Sequence, residues 1–174
     1  MLEEVLMACP FCKKEHPETL EQALEALERG PQLVREALAG ASQGELAVAE
    51  PKPGGWTPAQ VAIHLMDTEV IQSVRVRKLL AEEDPLLPAF DQNAWTAALS
   101  RGRDLSDVLR TFELLRKQNV ELVRGAGPAG ADRAGRHPEY GRLTLRELFV
   151  HLSTHDAKHA QQIRRIRAAA TSSK

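Results

Sequence analysis

Proline and glycine punctuate this chain so that four stretches remain in which apolar residues recur every three or four positions. That spacing restricts each stretch to an amphipathic helix. Pro17-Glu-Thr-Leu20 opens the first, which is carried by Leu20, Ala23, Leu24 and Leu27, interrupted at Gly30-Pro31 and resumed by Leu33, Val34, Ala37 and Leu38. It reads as one kinked helix or two short ones. After the loop Pro51 to Gly55, Thr57 supplies an N-cap and Pro58 the first position of a second helix. This helix carries Val61, His64, Leu65, Thr68, Ile71, Gln72 and Arg75 and ends by Asp84-Pro85. A loop with Pro85, Pro88 and Asp91 to Trp95 leads to a third run, with Leu105, Val108, Leu109, Phe112, Leu115 and Leu122, stopped at Gly125-Ala-Gly-Pro128. Thr144-Leu-Arg-Glu147 matches a capping box, and a fourth helix runs from there to about Ala170, with Thr171 to Lys174 as a frayed tail.

No run reads as a convincing strand, so the fold class expected is all-α: a four-helix bundle of the up-down type with a long connection. The interior of such a bundle is a usual place for a metal site. The abundance of Leu, Ala, Glu and Arg agrees with this. The 174 residues fit one bundle domain over 17–174, preceded by a cysteine-containing extension over 1–16. With 23 Lys and Arg against 24 Asp and Glu, the net charge is −1, which argues against a nucleic-acid partner. No stretch approaches the ~20 apolar residues of a membrane span. The sequence Met1 to Cys9 resembles a lipoprotein cleavage box but has an acidic start and no long apolar run, so a cytoplasmic location is expected, with no membrane partner.

The histidines carry the functional argument. Residues four apart on a helix are offset by ~40° and ~6 Å, so two imidazoles can share one ion. His155 and His159 have this spacing, and so do His151 and His155; spacing does not choose between the pairs. His64, following Val61, Ala62 and Ile63, is expected to face the core, where a buried imidazole needs a partner, and is the natural third ligand. Three neutral imidazoles suit a divalent late first-row ion, zinc or nickel first. Three protein ligands leave a position open for water or substrate.

The segments Pro53-Gly-Gly-Trp56-Thr-Pro-Ala-Gln-Val-Ala-Ile-His64-Leu-Met-Asp-Thr-Glu69 and His151-Leu-Ser-Thr-His155-Asp-Ala-Lys-His159-Ala-Gln-Gln162-Ile, with Phe90-Asp-Gln-Asn-Ala-Trp95 between them, resemble the DinB-like superfamily over roughly residues 18–168. The resemblance implies a four-helix bundle holding a divalent metal through His64, His155 and His159. It also implies thiol transfer or hydrolysis as activities, with a low-molecular-weight thiol as one class of small-molecule substrate. Lys158, Ala160 and Gln161 stand where a common form of the motif has aromatic, basic and glycine residues.

Glu69 and His151 are candidates for orienting the site from behind the ligands, and Trp56 and Trp95 for lining a substrate pocket. Asp156 is expected in solvent, His137 in a loop without a role, and Arg164-Arg-Ile-Arg167 in a basic last turn. Cys9-Pro-Phe-Cys12 with His16 has the spacing of half a zinc site, of a redox dithiol, or of an extension without chemistry. Two functional readings follow: a metal-dependent enzyme activating a thiol or water towards a small molecule, and a noncatalytic metal-binding or stress-sensing bundle. A spare apolar helix face makes a homodimer the expected assembly.

Overall fold

Thr19, Ser42, Thr57 and Thr144 each accept a hydrogen bond from the backbone N–H three residues on. Gln22, Glu45, Gln60 and Glu147 reach back to the capping residue, so four helix starts are fixed by capping boxes. The computed structural model describes residues 19–172; Cys9, Cys12, His16 and the rest of the expected extension lie outside the described residues. The helices are α1 (Leu20–Leu38), α2 (Gln43–Ala47), α3 (Pro58–Ala81), α4 (Gln92–Leu99), α5 (Leu105–Ala131), α6 (Leu145–Leu152) and α7 (His155–Ser172). No helix among the described residues is long and apolar enough to cross a membrane.

The expected four-helix bundle is the architecture found, with α1, α3, α5 and α7 as its long helices. α1 packs chiefly on α7 and α5, and α3 on α5 and then α7. The order around the bundle is therefore α1, α5, α3, α7, and the α1–α3 and α5–α7 connections cross its diagonals. Apolar periodicity fixes which face of a helix is buried but not which neighbour covers it.

Of the two readings of the first run, the single helix is the one found, with Pro31 inside it. Other local expectations change. The third run continues past Gly125, but Gly127, at φ 64°, breaks it before a last turn starting at Pro128. Asp91 caps the short helix α4, where a loop was expected, by accepting bonds from the N–H groups of Asn93 and Ala94. Two short strands, β1 (Ala134–His137) and β2 (Gly141–Thr144), pair antiparallel and clasp the α3–α4 connection through Leu87 N–H to the Arg136 carbonyl and Arg136 N–H to the Pro85 carbonyl. Their sequences, AGRH and GRLT, contain a single β-branched residue, Thr144, and none of the Val, Ile, Tyr, Phe or Trp that mark strands. The expected fourth helix is split at Ser153-Thr154, which separates α6 from α7.

Two apolar clusters fill the interior. One holds Val61, Leu65, Phe112, Ala160 and Ile163; the other Leu24, Leu27, Leu79, Val120 and Phe149. A buried polar layer lies between them at the middle of the bundle. Arg116 of α5, only 4% exposed, pairs with Glu69 of α3 and Asp156 of α7 and donates a further bond to the Leu27 carbonyl of α1. Asn119 completes it, donating to Glu69 Oε1 at 2.7 Å. Gly30 lets α1 close over this layer, because a β-carbon there would run into the Asp156 carboxylate.

Exchange of Gly30 for alanine gains about 1 kcal/mol of helix propensity, but its methyl collides with a carboxylate that Arg116 holds in place. A net loss of about 1–3 kcal/mol is expected. It is read as a lower urea midpoint with an unchanged slope; a raised midpoint would show that Asp156 yields without cost.

Candidate metal centre

The N-cap of Thr57 and the proline at the first helical position set the start of α3, which places His64 on its second turn, 2% exposed. The break at Ser153-Thr154 makes His155 the first residue of α7 and His159 its neighbour one turn on. The two helices bring these side chains together: the ligating nitrogens of His64, His155 and His159 all lie within 4.8 Å of one another. Ring centroids are 5.5 Å apart for His64 and His155, 5.0 Å for His64 and His159, and 4.5 Å for His155 and His159. His151 is outside this cluster, because the break puts it at the end of a different helix.

Neither His64 nitrogen has a hydrogen-bond partner, although the ring is buried. Leaving such a group bare costs about 1–3 kcal/mol, and an ion shared with two converging imidazoles would remove that cost. The residues present therefore fit a divalent metal. Burial and the charges of His155 and His159 push the His64 pKa down to about 3, against the opposing field of Asp156. Burial and His155 push His159 down to about 4, opposed by its bond to Gln162. Both rings are thus neutral at physiological pH, as ligation requires.

The surroundings orient the rings. His159 Nδ1 donates to Gln162 Oε1 at 2.8 Å, which leaves Nε2 as the nitrogen facing the cluster. Gln162 in turn donates to Glu50 at 2.9 Å, and Glu50, held at about 2 by Lys52 and Arg165, ties α7 to the loop before α3. His155 Nδ1 stands 3.7 Å from Asp156 Oδ1. Burial would raise the Asp156 pKa, but Arg116 holds it at about 2. With one guanidinium between two carboxylates, the buried layer behind the histidines carries a net charge of −1, which favours a cation in front of it.

These placements revise several readings. Asp156, expected in solvent, is 2% exposed and belongs to the layer behind the site. Glu69 hydrogen-bonds no histidine; it binds Arg116 and Asn119 and reaches His155 only through Arg116 and Asp156. The Trp56 ring lies tilted against His64, with centroids 4.7 Å apart, and lines a cleft of about 1200 Å³ with His155 and His159, whereas Trp95 packs on Phe90 and lines neither cleft at the site. His137 is buried in β1 beside Arg75. Arg165 and Arg167 do not serve the end of α7; they bind Glu50 and Glu45, and Arg167 also donates to the Ala37 carbonyl. Arg116 was missed, yet it sits four residues from both Phe112 and Val120, on the apolar stripe of its helix. Asp156 likewise stands four before Ala160. A charge on a core stripe was the available signal.

Residues 26–163 match the DinB superfamily. A protein of Oceanobacillus iheyensis bearing the name "Putative metal-dependent hydrolase" is 27% identical over 112 residues, 64% of this chain and 65% of that protein, so the chain spans just under two thirds of its length. Bacillus subtilis YfiT, named in the same way, is 26% identical over 147 residues, 82% of each chain. The solved structure of YfiT, described as a probable metal-dependent hydrolase with an unusual four-helix bundle topology, has a TM-score of 0.81 and 23% identity, covering 95% of this chain and 98% of that one. At that identity the likeness establishes the fold.

The lowered histidine pKa values give a pH dependence whose sign is fixed. Without metal, His64 and His159 bind protons less tightly in the folded protein than in the unfolded chain. From about pH 6.5 down to the folded values of about 3 and about 4 the unfolded state therefore takes up the extra protons, and stability falls as pH falls. Each such histidine contributes a slope of up to about 1.4 kcal/mol per pH unit. Urea unfolding in chelator from pH 7.5 to 4.5 is expected to show a shallower pH slope in His64→Gln than in wild type; identical slopes would remove the burial assigned to His64.

Proposed function

The chain belongs to the DinB superfamily, and on that premise we propose that it is a metal-dependent enzyme acting on a small molecule. The observation that carries this reading is the convergence of three histidines, one of them with two unpartnered buried nitrogens, where two solvent-reaching clefts meet. Here His64, His155 and His159 are the ligands and zinc or nickel is the ion, both late first-row metals to which imidazole is suited. When bound, the ion supplies Lewis acidity and lowers the pKa of a water or low-molecular-weight thiol.

The chain's own residues do the rest. Gln162 fixes the His159 tautomer, and Asp156, braced by Arg116, faces His155 and stabilises positive charge beside it. Trp56 covers one side of His64 and keeps water from that face. Hydrolysis agrees with the names its relatives carry; transfer to a thiol uses the same site with a different nucleophile. The open cleft favours either over a closed structural site, which would normally have four protein ligands.

Metal content of untagged protein tests the reading directly. About one ion per chain is expected from one three-histidine site, with the ion lost in His155→Ala and retained in Cys9→Ser/Cys12→Ser. Activity against a panel of small esters, amides and electrophiles should follow the ion, and its dependence on added thiol separates hydrolysis from thiol transfer. A chain that takes up no zinc or nickel on reconstitution would sink the proposal.

A further inference from the structure

Beyond His64, α3 turns three more polar side chains into the protein at successive turns: Thr68, Gln72 and Arg75. Each is more than nine-tenths buried, and all three line a cleft of about 610 Å³ that His64 and His155 also line. Metal ligation uses none of them. Thr68 Oγ1 and Gln72 Oε1 have no hydrogen-bond partner, an arrangement that penalises the protein unless a ligand supplies one.

Arg75 is the decisive residue. It donates to the Pro88 carbonyl at 3.0 and 2.7 Å and lies 2.9 Å from His137 Nε2. Among the described residues no carboxylate forms an ion pair with it, in contrast to Arg116, which has two. Burial pushes the Arg75 pKa below the usual guanidinium value, with only partial compensation from Tyr140 and Glu139, and a guanidinium nevertheless stays charged at neutral pH. The acidic residues at the rim do not neutralise it: Asp91 caps α4, and Glu139 is exposed. A buried cation without a counterion, facing a cleft beside the unpartnered Thr68 hydroxyl, is built to receive an anion: Nε and Nη2 are committed to Pro88 and His137, which leaves Nη1 to donate to a carboxylate oxygen.

We propose that this cleft recognises the carboxylate of a small carboxylic acid, with Arg75 as counter-charge and the Thr68 hydroxyl donating to it, while Gln72 Oε1 accepts from a donor elsewhere on the ligand and the acid's reactive centre reaches the three histidines. At a rise of ~1.5 Å per residue, Thr68 lies ~6 Å and Gln72 ~12 Å along α3 from His64. The carboxylate and the reactive centre are therefore separated by several bonds. The role of the reactive end rests on the metal-enzyme reading; carboxylate binding does not require it.

Butyrate is a suitable probe, with butyramide as its neutral isostere and inorganic phosphate as a tetrahedral anion, each titrated into metal-free and zinc-loaded protein and followed by NMR of the Arg75 Nε–H and Gln72 amide signals. Butyrate is expected to move both signals in both preparations, and butyramide and phosphate to bind at least tenfold more weakly. Arg75→Gln should weaken butyrate at least tenfold. Because Arg75 also braces Pro88, Thr68→Val/Gln72→Leu, which keeps Arg75 and removes the two unpartnered groups, is the second variant; it should fold with an unchanged or raised urea midpoint and still lose butyrate affinity. Equal binding of butyrate and butyramide, preference for phosphate, or unchanged affinity in the second variant would overturn the proposal. Butyrate binding by protein that takes up no metal leaves this site standing and removes the metal-enzyme reading; a loaded metal site without butyrate binding does the reverse.

Discussion

The ion cluster of Arg116 with Glu69 and Asp156 is the interaction on which the rest of the structure depends. It joins α5 to α3 and α7, and the bond from Arg116 to the Leu27 carbonyl adds α1, so a single guanidinium addresses all four long helices. Desolvating three charges offsets most of their mutual attraction, whereas removing one partner leaves an uncompensated buried charge at a cost of about 3–5 kcal/mol. The cluster therefore contributes position more than net stability. Apolar side chains slide past one another with small penalties; a buried guanidinium between two carboxylates has few acceptable placements.

That position is what the metal centre needs. Asp156 follows His155 directly, so fixing its carboxylate also fixes the first turn of α7, on which His155 and His159 sit. Glu69 is five residues beyond His64 on α3, and its hold on Arg116 and Asn119 sets the helix against α5 while His64 faces the opposite partner. Asp67 pairs with Arg103, but the buried polar residues of α3 that line the cleft have no such protein partners. Thr68 and Gln72 are unpartnered, and Arg75 has carbonyl and imidazole contacts without a carboxylate. One helix thus carries both kinds of buried polar group: those satisfied inside the protein, which brace it, and those turned towards a cleft, which are available for chemistry.

Much of this was legible because it is local. The N-cap and proline of Thr57-Pro58 and the capping box at Thr144 are each read from a few neighbouring residues, and the apolar spacing of the long runs gives four helices in a bundle. Other features depended on contacts between distant segments. AGRH and GRLT pair because β1 also bonds the Pro85 to Leu87 segment, which no local propensity records. The end of α6 at Leu152 falls inside a run whose own pattern is helical throughout. Asp156 was misplaced because its partner lies 40 residues earlier on another helix.

The sequence by itself determined the four long helical runs, the apolar stripes along them, and the histidine types and spacing that make a shared site possible, since each of these follows from backbone periodicity over one or two turns. Only the tertiary structure decided that His64 meets His155 and His159 rather than His151, that the helices run α1, α5, α3, α7 around the bundle, and that Arg75 faces a cleft without a counterion. Those outcomes depend on which surfaces cover one another. A buried charge is acceptable only where a particular partner from elsewhere in the chain arrives, and the spacing of residues along one helix does not contain that information.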